Sequence, residues 1–384
     1  MTGLYIHIPF CARKCRYCDF HSHPPAEGAM AQYVERLVQH IQQYDRYKLQ
    51  VETVFIGGGT PSLLPMRLMD TLCRAVHAHF DLSGIREWTV EANPDSITPA
   101  WLELVRRLGV TRVSMGVQAV QLPLLRTLGR IHTPEQAAQA TKWVKAAGLQ
   151  LNCDLMCGLP GQSHIDWAET LATAMSWNPD HLSCYTLQLE PTTPLYMDVC
   201  NGLTLPEDDD AADMMDYAIG YLAGTLPRYE ISNFAKPGYE SQHNLRYWRN
   251  LDYLGLGAAA HSSMVVEGVR CRWAEPEFDD WMNMRAPPER QTIPSREEAW
   301  ETLMLGLRLT EGISLDAFAG RHGIRLEEEL RVDWAWLCKQ GLAETAEGRW
   351  RLTQAGLAVQ NPVLGRLLDG WMAAGQFAVI VREE

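Results

Sequence analysis

The sequence predicts an α/β fold, a partial TIM-like (β/α)6 barrel followed by a small winged-helix-like C-terminal domain. Short apolar runs alternate with longer amphipathic runs through the first half of the chain, which is typical of a parallel sheet with right-handed crossovers. The six units fall short of the eight in a full barrel, so we expect an open one. A chain of 384 residues can hold such a barrel and one smaller domain.

The six predicted strands are short and apolar, and an amphipathic segment follows each of the first five. The strands are predicted at 4–10, 51–58, 87–93, 112–118, 149–160 and 181–190, and the helices at 29–47, 65–80, 98–108, 133–147 and 164–177. Thr98 and Pro99 are residue types that start helices, and Gly148 is a type that ends them. These residues support the predicted helix boundaries.

After Pro191 the alternation fades, and a cluster of proline and polar residues over 286–295 marks a boundary. We therefore expect a barrel over 1–200, a region that completes and connects it over 201–290, and a C-terminal domain over 291–384. That last domain is predicted to contain helices at 296–309, 314–321 and 326–340, then a β-hairpin with Gly348 in its turn.

The charge balance argues against nucleic-acid binding. Lys and Arg number 34 against 47 Asp and Glu, a formal charge of −13, and an acidic chain repels a phosphate backbone. The acidic run at 206–213 is expected to be the solvated start of a helix. A DNA-binding iron–sulfur regulator is an alternative raised by the winged-helix-like pattern, but Glu327, Glu328, Glu329 and Asp333 would face phosphate on its third helix.

Cysteine usage and hydropathy indicate the compartment. Neither a positively charged leader nor an uncharged apolar stretch of about 18 residues is found, so we expect a cytoplasmic protein. Ten cysteines in that reducing compartment indicate metal binding or catalysis rather than disulfides.

Three of the cysteines, Cys11, Cys15 and Cys18, lie just after the first predicted strand with the spacing CxxxCxxC. Three thiolates can hold three irons of a 4Fe–4S cubane and leave the fourth iron open to another ligand. Zinc is the alternative, with His21 or His23 as a fourth ligand. Structural zinc usually takes paired CxxC motifs, and no second pair follows, so the spacing favours the cluster.

Glycine and polar residues mark the carboxyl ends of the predicted strands, where parallel α/β folds hold their active sites. They are Gly57, Gly58, Gly59 and Thr60 after the second strand, Glu91 and Gln118 at the ends of the third and fourth, and Asp154 in the fifth. Taken singly, such residues form tight turns, stay solvated or cap helices. Their shared place at one rim predicts a ligand pocket.

These motifs resemble the radical S-adenosylmethionine (radical SAM) proteins, and among them the oxygen-independent coproporphyrinogen III oxidase group. The resemblance covers most of residues 4–270 and continues into the C-terminal domain. Its motifs are the stretch from Tyr5 to Cys11, GGGTP at 57–61, EANP at 91–94, GVQ at 116–118, Gly129-Arg130, and Asp154 to Pro160. It implies a 4Fe–4S cluster on the three cysteines and S-adenosylmethionine at the rim.

The resemblance also implies roles for the pocket residues. The glycine run with Thr60 would contact the amino group of S-adenosylmethionine, and Tyr5 would pack near the cluster and this ligand. Glu91 and Asp154 would bind ribose hydroxyls or nearby polar groups. Gln118 and Arg130 would complete the pocket, with Arg130 suited to the carboxylate. Considered alone, Arg130 could equally form a surface salt bridge.

Two subgroups are relevant, enzymes that decarboxylate coproporphyrinogen III and HemW-type heme chaperones. Three features favour the chaperones: Phe20 stands where the enzymes usually have a fourth cysteine, only four residues precede Tyr5, and 243–248 match the chaperone-associated motif HNxxYW. Coproporphyrinogen III dehydrogenase activity is therefore not expected, although that enzyme and a related radical SAM methylase or cyclopropanase remain alternatives.

The chaperone resemblance implies heme as a ligand and heme-accepting proteins, such as membrane cytochromes, as partners. It also implies an electron donor for the cluster, and it is compatible with a homodimer and with peripheral contact at the inner membrane.

His243 is the candidate heme ligand in the HNxxYW motif. It and Tyr247 are four residues apart and share a helix face. Histidine can bind heme iron axially, and Tyr247 and Trp248 could pack on a flat macrocycle. Spacing alone favours a plainer interpretation, a helix whose aromatic residues fill the core and whose histidine makes a hydrogen bond. A free cysteine or another histidine could then be the ligand.

Overall fold

A parallel β-sheet flanked by helices forms most of the molecule, and the predicted α/β class is confirmed. The structure is a computed structural model, in which residues 1–284 and 288–374 are described. The strands are β1 Thr2–Ile8, β2 Val51–Gly58, β3 Glu87–Ala92, β4 Arg112–Gln118, β5 Gln150–Cys157, β6 His181–Thr186, β7 Asn233–Ala235, β8 Tyr253–Leu256, β9 His261–Val266, β10 Val269–Ala274, β11 Gln291–Thr292, β12 Ile313–Ser314, β13 Ala343–Ala346 and β14 Arg349–Leu352.

The helices lie mostly between these strands. They are α1 Ala29–Gln42, α2 Met66–His79, α3 Pro99–Arg107, α4 Leu122–Thr127, α5 Pro134–Ala146, α6 His164–Ser176, α7 Pro194–Cys200, α8 Asp208–Leu222, α9 Gln242–Trp248, α10 Phe278–Met282, α11 Ser295–Gly306, α12 Leu315–His322, α13 Leu326–Glu329, α14 Arg331–Lys339, α15 Gln354–Ala358 and α16 Gln360–Ala374. No helix in the described ranges is both long and apolar enough to cross a membrane.

The larger sheet has the strand order β11-β10-β9-β8-β1-β2-β3-β4-β5-β6-β7. Strands β1 to β6 pair in parallel and correspond to the six predicted strands. A seventh parallel strand, β8, pairs with the outer side of β1, and the remaining neighbours are antiparallel. The chain thus returns to its first strand after α9, which places the HNxxYW segment beside the start of the barrel.

Local sequence explains where the helices of the barrel begin. Thr133 and Gln136 form a reciprocal capping box at α5, and Ser163 and Asp166 form one at α6. The predicted cap at Thr98 is present, since its side chain accepts a hydrogen bond from the backbone N–H of Trp101. Strand β1 is buried on both faces, which is usual for a strand inside a parallel sheet covered by helices.

Several predicted boundaries were wrong. The first predicted helix ends at Gln42 rather than 47, because the chain continues into a short 3₁₀ turn at Asp45–Tyr47. The fifth strand ends at Cys157, before Gly158 turns the backbone to φ 72°. The sixth strand ends at Thr186 rather than 190.

The C-terminal domain packs helices against a three-stranded antiparallel sheet, β12-β14-β13. Gly348 lies in the turn between β13 and β14 with φ 69°, as the hairpin prediction requires. Stacked rings of Trp334 and Trp350, 4.2 Å apart, lie in its core. The predicted helix at 326–340 is two helices that meet at Leu330, and α15 and α16 were not predicted.

Ion pairs join this domain to the barrel sheet. Both guanidinium Nη atoms of Arg272 on β10 lie 2.5 Å from the carboxylate oxygens of Glu301 on α11. The carboxylate of Glu298, also on α11, accepts from Arg270 at 3.2 Å and from Arg321 at 2.9 Å. The antiparallel extension of the sheet is therefore held against the C-terminal domain by paired charges.

Candidate functional site

The loop between β1 and α1 carries the three predicted cysteine ligands and is held at several points. Its start is pinned by backbone hydrogen bonds from Cys11 N to His23 O at 3.1 Å and from His23 N to Pro9 O at 2.9 Å. Its centre is pinned by bonds from Arg16 N to Leu128 O and from Leu195 N to Arg16 O. Cys11, Cys15 and Cys18 are all half-buried free thiols. The loop therefore presents them from a fixed backbone.

The three thiols line one cavity of about 130 Å³, which we call the cluster cavity. The hydroxyl of Thr60 lies 3.6 Å from Cys11 Sγ, and Arg130 Nη1 lies 3.5 Å from Cys15 Sγ. Burial raises the pKa of Cys18 to about 11.

Most of the residues predicted for S-adenosylmethionine line this same cavity. They are Gly58, Gly59, Thr60, Glu91, Gln118, Arg130 and Asp154. Gly57 lies one residue before that run, and a Cβ on it would stand 2.7 Å from Phe55 and 2.9 Å from a carboxylate oxygen of Glu91. A Cβ on Gly59 would stand 2.6 Å from the carbonyl oxygen of Phe10. The backbone can approach these neighbours only because these positions are glycine.

Arg130 is oriented by one neighbour just after β3 and another on β4. Its Nη2 donates to Asn93 Oδ1 at 2.8 Å and to the carbonyl of Gly116, while Asn93 Nδ2 donates to Thr60 Oγ1 at 3.1 Å. Asn93 belongs to the EANP motif at 91–94 and directly follows β3, but no ligand-binding role was predicted for it from the sequence. The guanidinium is thus fixed between the glycine run and the cysteine loop, and is not a surface salt bridge.

Two half-buried carboxyl groups lie at the rim. Glu91 accepts from the backbone N–H of Gly58 at 2.9 Å, and its pKa is raised to about 8 by burial and by the nearby Asp154 charge. Burial also raises the pKa of Asp154, which accepts from Ser114 at 3.2 Å and from Asn152 at 2.8 Å. Both carboxyl groups line the cluster cavity, where their oxygens can accept hydrogen bonds from ligand hydroxyls.

Gln118 reaches the cavity through an irregularity in its strand. The pairing of β4 with β5 shifts register between Gly116 and Gln118, and Gln118 has φ 68°. A bulge of this kind turns a side chain toward a site at the end of a strand. Gln118, Glu91 and Asp154 also line a second cavity of about 440 Å³ that extends into the barrel.

Tyr5 lies outside the cluster cavity, in an adjoining groove of about 940 Å³. Its hydroxyl is 2.9 Å from His7 Nδ1, and its ring stacks on Phe55. Gly58 and Glu91 line both the cluster cavity and this groove. Tyr5 therefore lies next to the predicted ligand pocket, since Glu91 lines both the groove that contains Tyr5 and the cluster cavity.

The HNxxYW segment forms α9, and its histidine is enclosed in the protein. The carboxylate of Glu87 accepts from the backbone N–H groups of Gln242 and His243 at 2.9 and 3.2 Å. His243 is fully buried; its Nδ1 is 2.9 Å from Thr53 Oγ1 and its Nε2 is 2.8 Å from the Tyr247 hydroxyl. Both ring nitrogens are used, so this conformation offers none to heme iron.

Trp248 of the same motif also has a neighbour within the chain. The guanidinium carbon of Arg308 stands 4.5 Å from the centre of its ring. The motif residues that were expected to contact a macrocycle thus make packing contacts instead, with Tyr247 alone lining the groove beside Tyr5.

Comparison with known proteins identifies related sequences along nearly the whole chain. The Radical SAM superfamily model matches residues 5–174, and the HemN C-terminal domain model matches 293–359. Proteins named "Heme chaperone HemW" are similar to it: that of Bacillus subtilis is 35% identical, covering 96% of this chain and 99% of its own. That of Escherichia coli is 36% identical, covering 94% and 97%, and that of Mycobacterium tuberculosis 39%, covering 95% and 94%.

A solved structure confirms the fold. Coproporphyrinogen III oxidase (HemN) from Escherichia coli, described as a radical SAM enzyme, superposes with a TM-score of 0.81 over 95% of this chain and 89% of its own. The two sequences are 22% identical, so this likeness concerns the architecture.

Proposed function

The chain belongs to the HemW family of heme chaperones within the radical SAM superfamily, and from this premise we propose that it binds heme and delivers it to heme-accepting proteins. The observation that carries the proposal is the 31–39% identity to proteins of that name over 82–96% of this chain. Phe20 at the position of the enzymes' usual fourth cysteine, and the HNxxYW segment, agree with it.

The proposal includes a 4Fe–4S cluster held by Cys11, Cys15 and Cys18. These thiols fit the group because they line one cavity, come from a loop pinned at its start and its centre, and have Arg130 and Thr60 as hydrogen-bond donors to sulfur. Such donors stabilise thiolate charge. When bound, the cluster supplies one electron to the sulfonium of S-adenosylmethionine.

S-adenosylmethionine would be bound by the strand ends. The backbone of the glycine run Gly57–Gly59, of which Gly58 and Gly59 line the cluster cavity, would face its amino group, and Arg130 is placed to pair with its carboxylate. Glu91 is placed to accept from the ribose, with Asp154 and Gln118 beyond it. Since Asn93 fixes the Arg130 guanidinium in advance, little side-chain entropy is lost on binding.

Delivery requires acceptors, such as membrane cytochromes, and cluster chemistry requires an electron donor. Peripheral contact with the inner membrane and a homodimer belong to the same proposal. Heme-loaded protein mixed with an apo-cytochrome should transfer its heme, seen as a change from the chaperone spectrum to the cytochrome spectrum.

The deciding experiment is an anaerobic hemin titration followed by absorbance, paired with an assay of coproporphyrinogen III with S-adenosylmethionine and a reductant. We expect saturable heme binding and no decarboxylation. Formation of protoporphyrinogen would replace the chaperone with the enzyme alternative, for which the 440 Å³ barrel cavity offers space next to the ligand pocket.

A further inference from the structure

The 940 Å³ groove beside the cluster cavity has the size and lining of a site for a large flat ligand. Its volume is near the upper end of the roughly 300–1,000 Å³ common for ligand pockets. Aromatic side chains of Tyr5, Phe20, Tyr247 and Tyr253 line it, and Phe20 is 63% exposed. Aromatic walls suit a planar macrocycle because ring faces can stack on it.

Four histidines line this groove, and the rings of three of them contact other protein groups, in the case of His23 by packing alone. His7 has both ring nitrogens bonded, to the Tyr5 hydroxyl at 2.9 Å and to the carbonyl of His21 at 2.8 Å. The Nε2 of His21 accepts from the backbone N–H of Phe278 at 3.2 Å. His23 is half-buried and packs edge-on against Phe278, with ring centroids 4.4 Å apart.

The fourth histidine, His261, differs from the others. Its side chain is exposed and, among the residues that the structure describes, has no hydrogen bond, ion pair or ring contact. An imidazole nitrogen with no protein partner is what an axial iron ligand requires. His23 also lacks a hydrogen bond to its ring in the described residues, but it is half-buried and packed against Phe10 and Phe278, whereas the side chain of His261 is exposed. His261 is therefore the histidine of the groove best placed to bind a metal centre.

The backbone around His261 holds the side chain in position. His261 begins β9, where it pairs with Ala274 of β10. The preceding turn is closed by a hydrogen bond from Ala260 N to Gly257 O at 3.3 Å, and Ala259 N donates to Pro276 O at 2.9 Å. Ala259 has φ 54°, a conformation that L-residues seldom adopt unless neighbours enforce it. A ligand on such a rigid element needs little reorganisation to bind.

We propose that heme occupies this groove with His261 as the axial ligand of its iron, an inference that rests on the proposed heme-binding function. The macrocycle lies against Tyr247 and Phe20. The lysine and carboxyl side chains that line the groove are those of Lys14, Asp19, Glu91 and Glu277. Of these only Lys14 is cationic, so the propionates point to Lys14 or to solvent, away from the carboxylates.

This placement puts heme in contact with the cluster loop. Phe20 lies two residues after Cys18, and Glu91 and Gly58 line both the groove and the cluster cavity. Heme in the groove would therefore share side chains with the S-adenosylmethionine pocket.

The test is an anaerobic hemin titration of the full chain carrying His261→Ala, His261→Cys or the control His164→Ala. His164 is also exposed, but it lies on α6 near Asp210 and does not line the groove. Removing the ligand should weaken hemin binding about tenfold or more and shift the Soret band. Added imidazole should restore the wild-type band to His261→Ala, and His261→Cys should give a thiolate-type spectrum. His164→Ala should match wild type.

The outcomes separate this inference from the proposed function. Wild-type binding with an unchanged affinity and spectrum in His261→Ala would overturn the assignment of His261 and leave the heme chaperone intact. Failure of the wild-type protein to bind hemin at all would overturn both.

Discussion

The Nε2 atom of His243 lies 2.8 Å from the Tyr247 hydroxyl, and the two rings meet edge to face with centroids 5.0 Å apart. The histidine and the tyrosine of the HNxxYW motif are therefore each other's partners. This pairing gives the motif a structural role at the point where α9 packs against β2.

His243→Ala should consequently destabilise the fold. The change opens a cavity and leaves the hydroxyls of Thr53 and Tyr247 without their shared partner, a loss of about 2–4 kcal/mol. Urea unfolding followed by circular dichroism measures it, with exposed His164→Ala as a near-neutral control. A stable His243→Ala protein that had lost heme binding would instead restore His243 as a ligand.

Replacing any one of Cys11, Cys15 or Cys18 by Ser should remove the cluster. Serine cannot supply the thiolate that each of the three irons needs, so iron and sulfide content after anaerobic reconstitution should fall to near background. Cys200→Ser is the matched control, because Cys200 is an exposed free thiol on α7. Full iron and sulfide content in a triple Cys→Ser variant would refute the cluster assignment.

Gly59→Ala should disturb the pocket through the backbone. The new Cβ would lie 2.6 Å from the carbonyl oxygen of Phe10, so the glycine run has to shift. We expect a loss of about 1–3 kcal/mol of stability and weaker S-adenosylmethionine binding by calorimetry. Gly220→Ala on α8 meets no neighbour within 4 Å and should leave both quantities unchanged or improve stability. Equal behaviour of the two variants would argue against close packing at Gly59.

Arg130→Lys should weaken S-adenosylmethionine binding although the charge is kept. A lysine cannot bond Asn93 and the Gly116 carbonyl while also presenting a planar fork to a carboxylate. The expected loss is about tenfold or more, or at least 1.4 kcal/mol, measured on reconstituted protein. Arg126→Lys, on α4, is the control. Unchanged affinity in Arg130→Lys would assign the carboxylate to another group.

Glu91 should make the ligand-free protein less stable as the pH rises. Its pKa is raised from 4.5 to about 8 in the fold, so between these values the folded chain keeps a proton that the unfolded chain has lost. The contribution of Glu91 to stability is therefore greatest below about pH 4.5 and falls toward pH 8, with a slope of up to about 1.4 kcal/mol per pH unit.

Glu91→Gln should flatten that pH dependence, as measured by urea unfolding across pH 5 to 8. Glu103→Gln on the exposed face of α3 serves as the control. A wild-type profile that stayed parallel to that of Glu91→Gln would show that Glu91 is ionised in the folded protein throughout this range.

The barrel strands could be predicted because each has a local pattern. Strands β1 to β6 are apolar runs separated by amphipathic helices. By contrast, β8 is only four residues long and β7 only three, and both follow Pro191, where the alternation is lost. Their place depends on pairing with β1 and β6, which are far away in sequence, so no local pattern identifies them.

Site residues at the ends of the parallel strands could be predicted from the sequence. Site residues whose position depends on contacts between distant parts of the chain could not. Glu91, Gln118 and Asp154 were found because parallel strands bring their ends together. The environment of His243 depends on Thr53, which is 190 positions away. His261 has no motif around it, and only the closure of β8 onto β1 brings it to the groove.

The pairing of Arg272 with Glu301 has a mechanical consequence. Arg272 lies on β10, which pairs with β9, the strand that begins with His261. Its ion pair with Glu301 therefore attaches the β9–β10 hairpin to the C-terminal domain. A shift of the C-terminal domain relative to the barrel would therefore be expected to move this hairpin and His261 with it.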